Sequence, residues 1–442
     1  MKKVDLVLDG GRIYYKGEFV DAGVAVEDGK IVKVARNASL PKADERIDAG
    51  GLYVMPGAID VHVHVRDLKQ KSREDWKSAS EAAAAGGVTT ILAMPNTNPP
   101  LSSAKAVTEY ARIAAKKSIV DYGVYIGATG KNRDEITKAN QACAVKVYMA
   151  STTGDLLVDD DILLTNSFAS ANKAKKIACV HAEDEAMIKA RTAAVKRKGR
   201  EVTPEMHSVI RDGECARKAV EKALQLSGKA KNKLHICHVS TRAEMELIAD
   251  AKKKGLSVSC EVAPHHLFLS EKDYDKTNRL KVNPPLRSKT DVSTMWSALQ
   301  EGVVDCVASD HAPHLLSEKE EDYWNAPAGV PGLETTLPLM LDSAVKRMLD
   351  VPQVIKLTSE NPAKLFGLSG KGAIKEGFDA DFALIDFRKS WRIRGDGLKS
   401  RCAWTPFEGR VVQGVPVMTV VRGKTVYRDG DALPNKGAEV GV

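Results

Sequence analysis

Aromatic side chains are scarce in this chain, at 5% of its 442 residues, and long apolar runs are missing altogether. No stretch approaches the ~18 apolar residues that span a bilayer, so no membrane-crossing segment is expected. Behind Met1-Lys2-Lys3, Asp5 and Asp9 interrupt any apolar run, so a signal peptide is not expected either. There is no strong surplus of one charge. Lys and Arg number 66 against 58 Asp and Glu, and the net +8 is spread along the chain. Runs such as Lys173, Lys175 and Lys176, or Lys252 to Lys254, read as solvated helix surfaces. A nucleic-acid footprint would cluster its basic residues and interleave them with aromatics, so nucleic acid is not an expected partner. Cysteine spacing of the CxxC kind is absent. The seven cysteines (Cys143, Cys179, Cys215, Cys237, Cys260, Cys306 and Cys402) are odd in number, and most lie in apolar, strand-like runs. Buried free thiols in a reducing cytoplasm are the expectation.

What is present is ordinary globular composition, with 43% hydrophobic and 28% charged residues, which excludes disorder, collagen and coiled coil. The length suits roughly three average domains, or a single α/β barrel of roughly 250 residues with an appended domain. The first 55 residues place apolar side chains at period two (Val4, Leu6, Leu8; Val24, Val26; Val32, Val34), punctuated by Gly10-Gly11 and Asp28-Gly29. This is a small antiparallel β unit. The same texture returns after residue 372, in Asp381 to Ile385 and Val417 to Val421. The two ends, 1–55 and 372–442, are therefore expected to build one small β-sandwich domain around a different middle.

That middle, 56–371, alternates short apolar strands with amphipathic helices. Strand candidates are Val88 to Ala93, Tyr122 to Ile126, Ala144 to Met149, Ile177 to Val180, Leu234 to Cys237, Leu256 to Val262 and Val303 to Ala308, with Tyr53 to Ile59 leading in. Helical stretches such as Ser72 to Ala85 separate them, with Ser72 and Asp75 placed for a capping box and Gly86-Gly87 as the stop. Repeated β-then-α units predict a parallel sheet, and eight of them predict a closed (β/α)₈ barrel of the TIM type, so the fold class is α/β.

Polar clusters fall at the ends of these strands, where such a barrel places its active site. In Asp60-Val-His-Val-His-Val-Arg66, residues two apart share a face, so His62 and His64 can grip one ion while the valines pack outward. His181 follows Val180, His238 follows Cys237, and Ser309-Asp310-His311-Ala312-Pro313-His314 follows the last strand. Taken singly, each is also readable as a satisfied histidine at a strand end. Lys146 is the odd one, because it sits inside an apolar run where an unpaired ammonium is strongly disfavoured. Snorkelling to water or pairing with an acid would resolve this. So would reaction with CO₂, giving an anionic carbamate able to bridge two cations. Jointly, four His, one Asp and a strand-end Lys favour Zn²⁺ or a similar first-row ion. Two such ions beside an Asp imply water activated for hydrolysis of a polarised carbonyl.

The pattern resembles the amidohydrolase superfamily, and within it the dihydroorotases of the longer, type I class. The stretches that carry the resemblance include Asp60 to Arg66, Met94-Pro-Asn-Thr-Asn-Pro99, Val145-Lys-Val-Tyr148, His181-Ala-Glu-Asp184 and Cys237-His-Val-Ser240. They continue through Glu261 to His266, Asn283-Pro-Pro-Leu-Arg287, Ser309 to His314, Ala326-Pro-Ala-Gly329 and Gly377-Phe-Asp-Ala-Asp381, in the family's order. The resemblance implies that His62, His64 and Asp310 bind one Zn²⁺ and that His181 and His238 bind a second. Carboxylated Lys146 would bridge the two. It further implies that Arg66 and Asn96, assisted by His314, hold the substrate's α-carboxylate. Asn283 and the backbone of Ala328 and Gly329 would line the pyrimidine ring, and His64 would lie against the substrate as well. The implied reaction is the reversible closure of N-carbamoyl-L-aspartate to dihydroorotate in pyrimidine synthesis, with Asp310 as proton shuttle. A homodimer, and association with aspartate carbamoyltransferase, are the assemblies this resemblance suggests.

The chain departs from the family pattern at Leu68-Lys69, where Pro-Gly is usual, and at Arg211-Asp212, where Arg-Pro is usual. Some relatives also carry Asp at the position of Lys146. His207, His235, His265, His266 and His311 are left as structural, with His265-His266 near the barrel mouth. Two other readings compete. Hydantoinases, dihydropyrimidinases and allantoinases share the barrel and metals but need no carboxylate clamp, so Arg66 with Asn96 argues against them. A catalytically silent scaffold would have lost metal ligands, and here all six positions are filled.

Overall fold

Apolar β-branched runs bounded by turns form strands, and strands buried on both faces lose their polar alternation. Both kinds occur here. In the computed structural model, which describes residues 3–152, 156–199 and 202–441, the N-terminal strands are β1 (Val4–Asp9), β2 (Arg12–Tyr15), β3 (Glu18–Asp21), β4 (Gly23–Glu27), β5 (Lys30–Ala35), β6 (Ala43–Asp48) and β7 (Tyr53–Pro56). The middle supplies β8 (Ala58–Val63), β9 (Val88–Ala93), β10 (Asp121–Gly127), β11 (Ala142–Tyr148), β12 (Ala178–His181), β13 (Leu234–Ile236), β14 (Val258–Val262) and β15 (Cys306–Val307). The C-terminal part adds β16 (Phe382–Arg392), β17 (Val411–Val421), β18 (Lys424–Arg428) and β19 (Asp431–Ala432).

Strands β8 to β15 form one eight-stranded parallel sheet in chain order. A parallel bridge from Val63 to His311, with His64 N–H donating to His311 O at 2.8 Å, brings its last edge back to the first. This is the (β/α)₈ barrel that the sequence predicts. The β-rich ends also meet: one seven-stranded sheet runs β19-β18-β17-β16-β7-β2-β3, drawing on both termini, beside a four-stranded sheet β5-β4-β1-β6. The first 55 residues are not the wholly antiparallel unit expected, since β1 pairs β6 and β2 pairs β7 in parallel.

Three local expectations change. The run Tyr53 to Ile59 divides at Gly57, with β7 joining the terminal sheet and β8 opening the barrel. A side chain at Gly57 would lie 2.2 Å from that of Thr89, so this crossing point admits only glycine. The first barrel helix spans Trp76–Ala85 and its capping box is Asp75 with Ser78, not Ser72 with Asp75. Buried Glu74 accepts from Ser78 Oγ, Ser400 Oγ and the Arg401 N–H, which holds the chain outside the helix until residue 75. Finally, the valines of the HxH strand do not both pack outward. The register of β8 shifts between Asp60 and Val63. Val61 therefore packs in the barrel interior with Leu92, Tyr125 and Cys179, whereas Val63 and Val65 join the core beneath the helices.

All seven cysteines are buried and unpaired. Among the described residues no helix is long and apolar enough to cross a membrane. Barrel and terminal sheets are joined by a buried ion network. Lys371 Nζ lies 2.5 Å from Asp121, 2.6 Å from Asp381 and 3.0 Å from Asp379, so the ammonium sits where these three carboxylates converge.

Burial also pushes the Glu334 carboxyl up to about 8 from 4.5, and nearby Glu74 adds to the rise, against opposing contributions from Lys399. The folded protein thus keeps this proton after the unfolded chain has released it. The resulting stability is fully present below about pH 4.5 and is lost as pH rises through about 8. Glu334→Gln, whose amide oxygen can still accept from Lys399 N–H, is expected to flatten that part of the profile. At pH 8 it should be more stable than wild type by on the order of 2–4 kcal/mol, checked by denaturant unfolding at several pH values.

Candidate active site

Six side chains from five strand ends meet at the C-terminal mouth of the barrel. Asp60 prepares the first: its carboxylate accepts from His62 N–H at 3.1 Å and from Ser309 N–H at 3.2 Å, tying β8 to the segment that carries Asp310. Asp310 Oδ1 then lies 3.3 Å from His62 Nε2 and 3.2 Å from His64 Nε2. From β12, His181 Nδ1 faces His238 Nε2 at 3.1 Å. Lys146 reaches between the two groups from β11. Its Nζ is 3.4 Å from His62 Nε2 and donates to Cys237 Sγ at 2.9 Å. All six are buried, Lys146 at 0% exposure.

The nitrogens facing away from this centre are held by acceptors. His62 Nδ1 bonds Glu261, which also takes His235 Nε2 at 3.1 Å and His238 N–H at 3.2 Å. His181 Nε2 bonds Glu183 at 2.9 Å, and His64 Nδ1 bonds Asn96 Oδ1 at 2.6 Å. An imidazole that donates outward turns its basic nitrogen inward, which is how metal-binding histidines are oriented. Burial lowers the pKa of His62, His64, His181 and His238, so all four are neutral at neutral pH and able to act as donors to a metal. Despite burial, Arg211 and His181 pull Glu183 down to about 2. His238 Nδ1 is buried with no hydrogen-bond partner among the described residues. Neutral imidazoles and a carboxylate fit a divalent cation, and the donor atoms of His62, His64 and Asp310 all lie within 4.8 Å of one another.

Beside this centre lies a small polar cavity, walled by Arg66, Asn96, Tyr148, Thr152, Asn283, Ala312, Ala328 and Gly329 as well as the histidines. Arg66 is aimed by a turn in which three successive non-glycine residues have positive φ: Arg66 at 65°, Asp67 at 49° and Leu68 at 48°. Such backbone is costly and persists only where surroundings impose it. Asp67 does so, accepting from Leu68 N–H at 2.7 Å, Trp76 N–H at 3.2 Å and Lys117 Nζ at 2.8 Å. This is how the chain makes its entry turn with Leu68-Lys69 in place of Pro-Gly. Arg66 Nε donates to Pro313 O at 3.3 Å, while its Nη1 is buried without a partner among the described residues. His314 stands behind Arg66 rather than in the cavity wall, with Nε2 3.1 Å from both Arg66 Nη2 and Ala328 O.

The far wall rests on two buried lysines. Lys319 Nζ donates to the carbonyls of Lys281, Pro327 and Gly329 at 2.9, 2.8 and 3.1 Å, and Lys281 Nζ donates to those of Tyr323 and Ala326 at 2.6 and 2.7 Å. Gly329 has φ 139°, and a side chain there would meet Ala312 O at 2.6 Å. Asn283 is held by His207, whose Nε2 lies 2.9 Å from Asn283 Oδ1 and whose Nδ1 contacts Tyr323 Oη at 2.8 Å.

A strand-end cluster of this composition on a (β/α)₈ barrel has known counterparts. Residues 53–426 match the model of the amidohydrolase family. The chain belongs to the amidohydrolase family. It is 39% identical to a dihydroorotase of Methanosarcina acetivorans, with 98% of this chain and 94% of that one covered. It is 40% identical to a dihydroorotase of Halobacterium salinarum, covering 97% and 96%. Among solved structures, an L-hydantoinase (dihydropyrimidinase) from Arthrobacter aurescens superposes with a TM-score of 0.95 at 33% identity, covering 99% of this chain and 100% of the other. A D-hydantoinase superposes at 0.90 with 28% identity, covering 98% of each.

In this amidohydrolase four of the five histidines set aside from the sequence serve as supports. His235 bonds Glu261, His207 holds Asn283, and His311 Nδ1 accepts from Gly332 N–H at 3.2 Å. His266 Nε2 lies 3.1 Å from Pro284 O. Four residues escape the sequence reading as site components: Glu261, Glu183, Tyr148 and Thr152. Tyr148 had a signal, since it lies two residues after Lys146 on one strand and so shares its face. Glu261 had none, being 199 residues from His62. The Arg211-Asp212 departure is also explained. Arg211 Nε bonds Glu183 at 3.2 Å, and Asp212 caps the helix Gly213–Ala230, the helix-starting task a proline can also perform.

Proposed function

We propose that this amidohydrolase is a dihydroorotase, interconverting N-carbamoyl-L-aspartate and (S)-dihydroorotate for pyrimidine synthesis in the cytoplasm. The observation that carries the reading is Arg66, a buried guanidinium with an unpartnered Nη1 in the wall of the cavity beside His64 and Asn96. A planar fork of this kind suits bidentate capture of a carboxylate. Dihydroorotate has that carboxylate, whereas dihydrouracil and unsubstituted hydantoin do not.

In this reading His62, His64 and Asp310 would hold one Zn²⁺, and His181 and His238 a second. Lys146 would lie between them as a carbamate, formed when its neutral amine adds to CO₂ and releases a proton. Bound there, the ions would supply Lewis acidity, lowering the pKa of water and polarising the ring carbonyl. The chain's own groups do the rest. Arg66 and Asn96 take the α-carboxylate, with His314 bracing the guanidinium. Asn283 and the Ala328 and Gly329 backbone flank the ring and are kept in place by His207, Lys281 and Lys319. In ring opening, Asp310 takes the proton that water loses as its oxygen joins the carbonyl carbon. It delivers that proton to the ring nitrogen as the C–N bond breaks, and the new carboxylic acid ionises. A carboxylate oxygen facing His62 and His64 at the centre suits a group that must hold a proton briefly.

The close superposition with hydantoinases makes a carboxylate-free cyclic amide the second reading. One assay separates them. Arg66→Met is expected to retain bound metal and to cost about 2–5 kcal/mol in kcat/KM with dihydroorotate, the scale for losing one partner of a buried charge pair. Dihydrouracil should be a very poor substrate and should change little on mutation, because the lost contact was never available to it. Wild-type turnover of dihydrouracil or hydantoin comparable to that of dihydroorotate would move the assignment to the hydantoinase side.

A further inference from the structure

We propose that the Tyr148 hydroxyl donates a hydrogen bond to the substrate carboxylate held by Arg66, which makes Tyr148 a specificity-determining residue. The inference rests on the dihydroorotase reading. Tyr148 ends β11, two residues beyond Lys146, and the pleat puts both on the inner face. Its ring lies over the centre, with its centroid 5.3 Å from Lys146 Nζ and 6.3 Å from the His181 ring. It walls the same cavity as Arg66 and Asn96. Its Oη is buried with no hydrogen-bond partner among the described residues, and so is Arg66 Nη1.

Two orphaned donors in one small cavity are the informative feature. Each buried donor left unpaired costs about 1–3 kcal/mol, so their coexistence in one wall calls for a shared acceptor. A carboxylate has two oxygens with about four acceptor sites, enough for a guanidinium, an amide and a phenol together. Phenylalanine would fill this wall equally well as an apolar surface, so the hydroxyl contributes polarity and no packing.

The test uses metal-loaded Tyr148→Phe beside wild type. Steady-state kinetics with dihydroorotate would be combined with calorimetric binding of orotate, its unsaturated analogue, and of orotamide, in which the carboxylate is an amide. KM for dihydroorotate and Kd for orotate are expected to rise about ten- to a hundredfold, the scale of a hydrogen bond to a charged group, with kcat within about threefold. Orotamide should bind the two proteins within about threefold of each other, since the charged acceptor is gone. Unchanged KM and Kd would overturn the proposal. So would a fall in kcat at constant KM, which would put the hydroxyl at the reacting carbonyl instead. A markedly lower melting temperature would also overturn it, because a hydroxyl without a protein partner carries no stability of the fold. Wild-type protein unable to open dihydroorotate would remove the dihydroorotase reading and this inference with it. An active wild type with an indifferent variant would remove this inference alone.

Discussion

Asp310→Asn is expected to slow ring opening and ring closure alike by roughly 10²–10⁴-fold, the range for losing a positioned proton carrier. The substitution changes one atom. Asparagine keeps an Oδ1 able to face His62 and His64, where the carboxylate oxygen now lies 3.3 and 3.2 Å away. It also tolerates the left-handed backbone that Asp310 adopts at φ 46°, so the fold should survive. What it loses is the capacity to take a proton from water and return it to nitrogen. One reversible step must slow by the same factor in both directions at an unchanged equilibrium. Ultraviolet loss and regain of dihydroorotate therefore check each other, and a variant slowed in one direction only would indicate an assay artefact. An unimpaired Asp310→Asn enzyme would remove Asp310 from the mechanism. Closure consumes a proton, because two carboxylates become one, so the equilibrium itself should favour dihydroorotate at low pH and carbamoyl aspartate at high pH.

Lys146→Ala is expected to lose activity at least as severely. Outer-sphere changes around metals cost roughly 10–100-fold, and a ligand shared by two ions should exceed that, so a loss beyond about 10²-fold is the expectation. Metal analysis should show close to two ions per chain in wild type and far fewer in the variant. The position supports this strongly. Lys146 is wholly buried, with Nζ among His62, Cys237 and the Tyr148 ring. Burial opposes its ammonium, while Cys237 and Glu261 outweigh that and raise its pKa. Two divalent cations alongside would reverse the preference and favour an anion there. Short carboxylic acids added to the variant should restore part of the activity by occupying the emptied space between the ions. Full activity of Lys146→Ala without such a supplement would exclude the carbamate.

The two substitutions probe features of different legibility. His62 and His64 could be paired from the sequence, because residues two apart share a face on a regular strand. The shift within β8 that separates Val61 from Val63 still leaves both rings on Asp310. Lys146 could be singled out because a cation in an apolar run is expensive anywhere. The barrel was legible for the same kind of reason. Buried parallel strands and amphipathic helices have local periods, and eight repeats in succession admit few closures. The shift in β8 that turns Val61 inward was not legible. It falls beside Asp60, whose carboxylate bonds Ser309, 249 residues away, and no local pattern encodes that contact.

The residues by themselves therefore determined the fold class, which side chains are candidate metal donors and the planar charge that Arg66 could offer a carboxylate. These rest on side-chain type and near-neighbour spacing. Only the tertiary structure decided how those donors are aimed. Glu261 orients His62 across 199 residues, and Asp67 with Lys117 forces the left-handed turn that points Arg66 inward. It also placed His314 behind Arg66 and Tyr148 in the lining of the same cavity, and it set Lys319 beneath the loop of Ala328 and Gly329. The physical reason is that orientation in a buried site comes from hydrogen bonds and backbone strain imposed by distant segments. Those exist only once the barrel has closed and excluded the water that would otherwise satisfy the same groups.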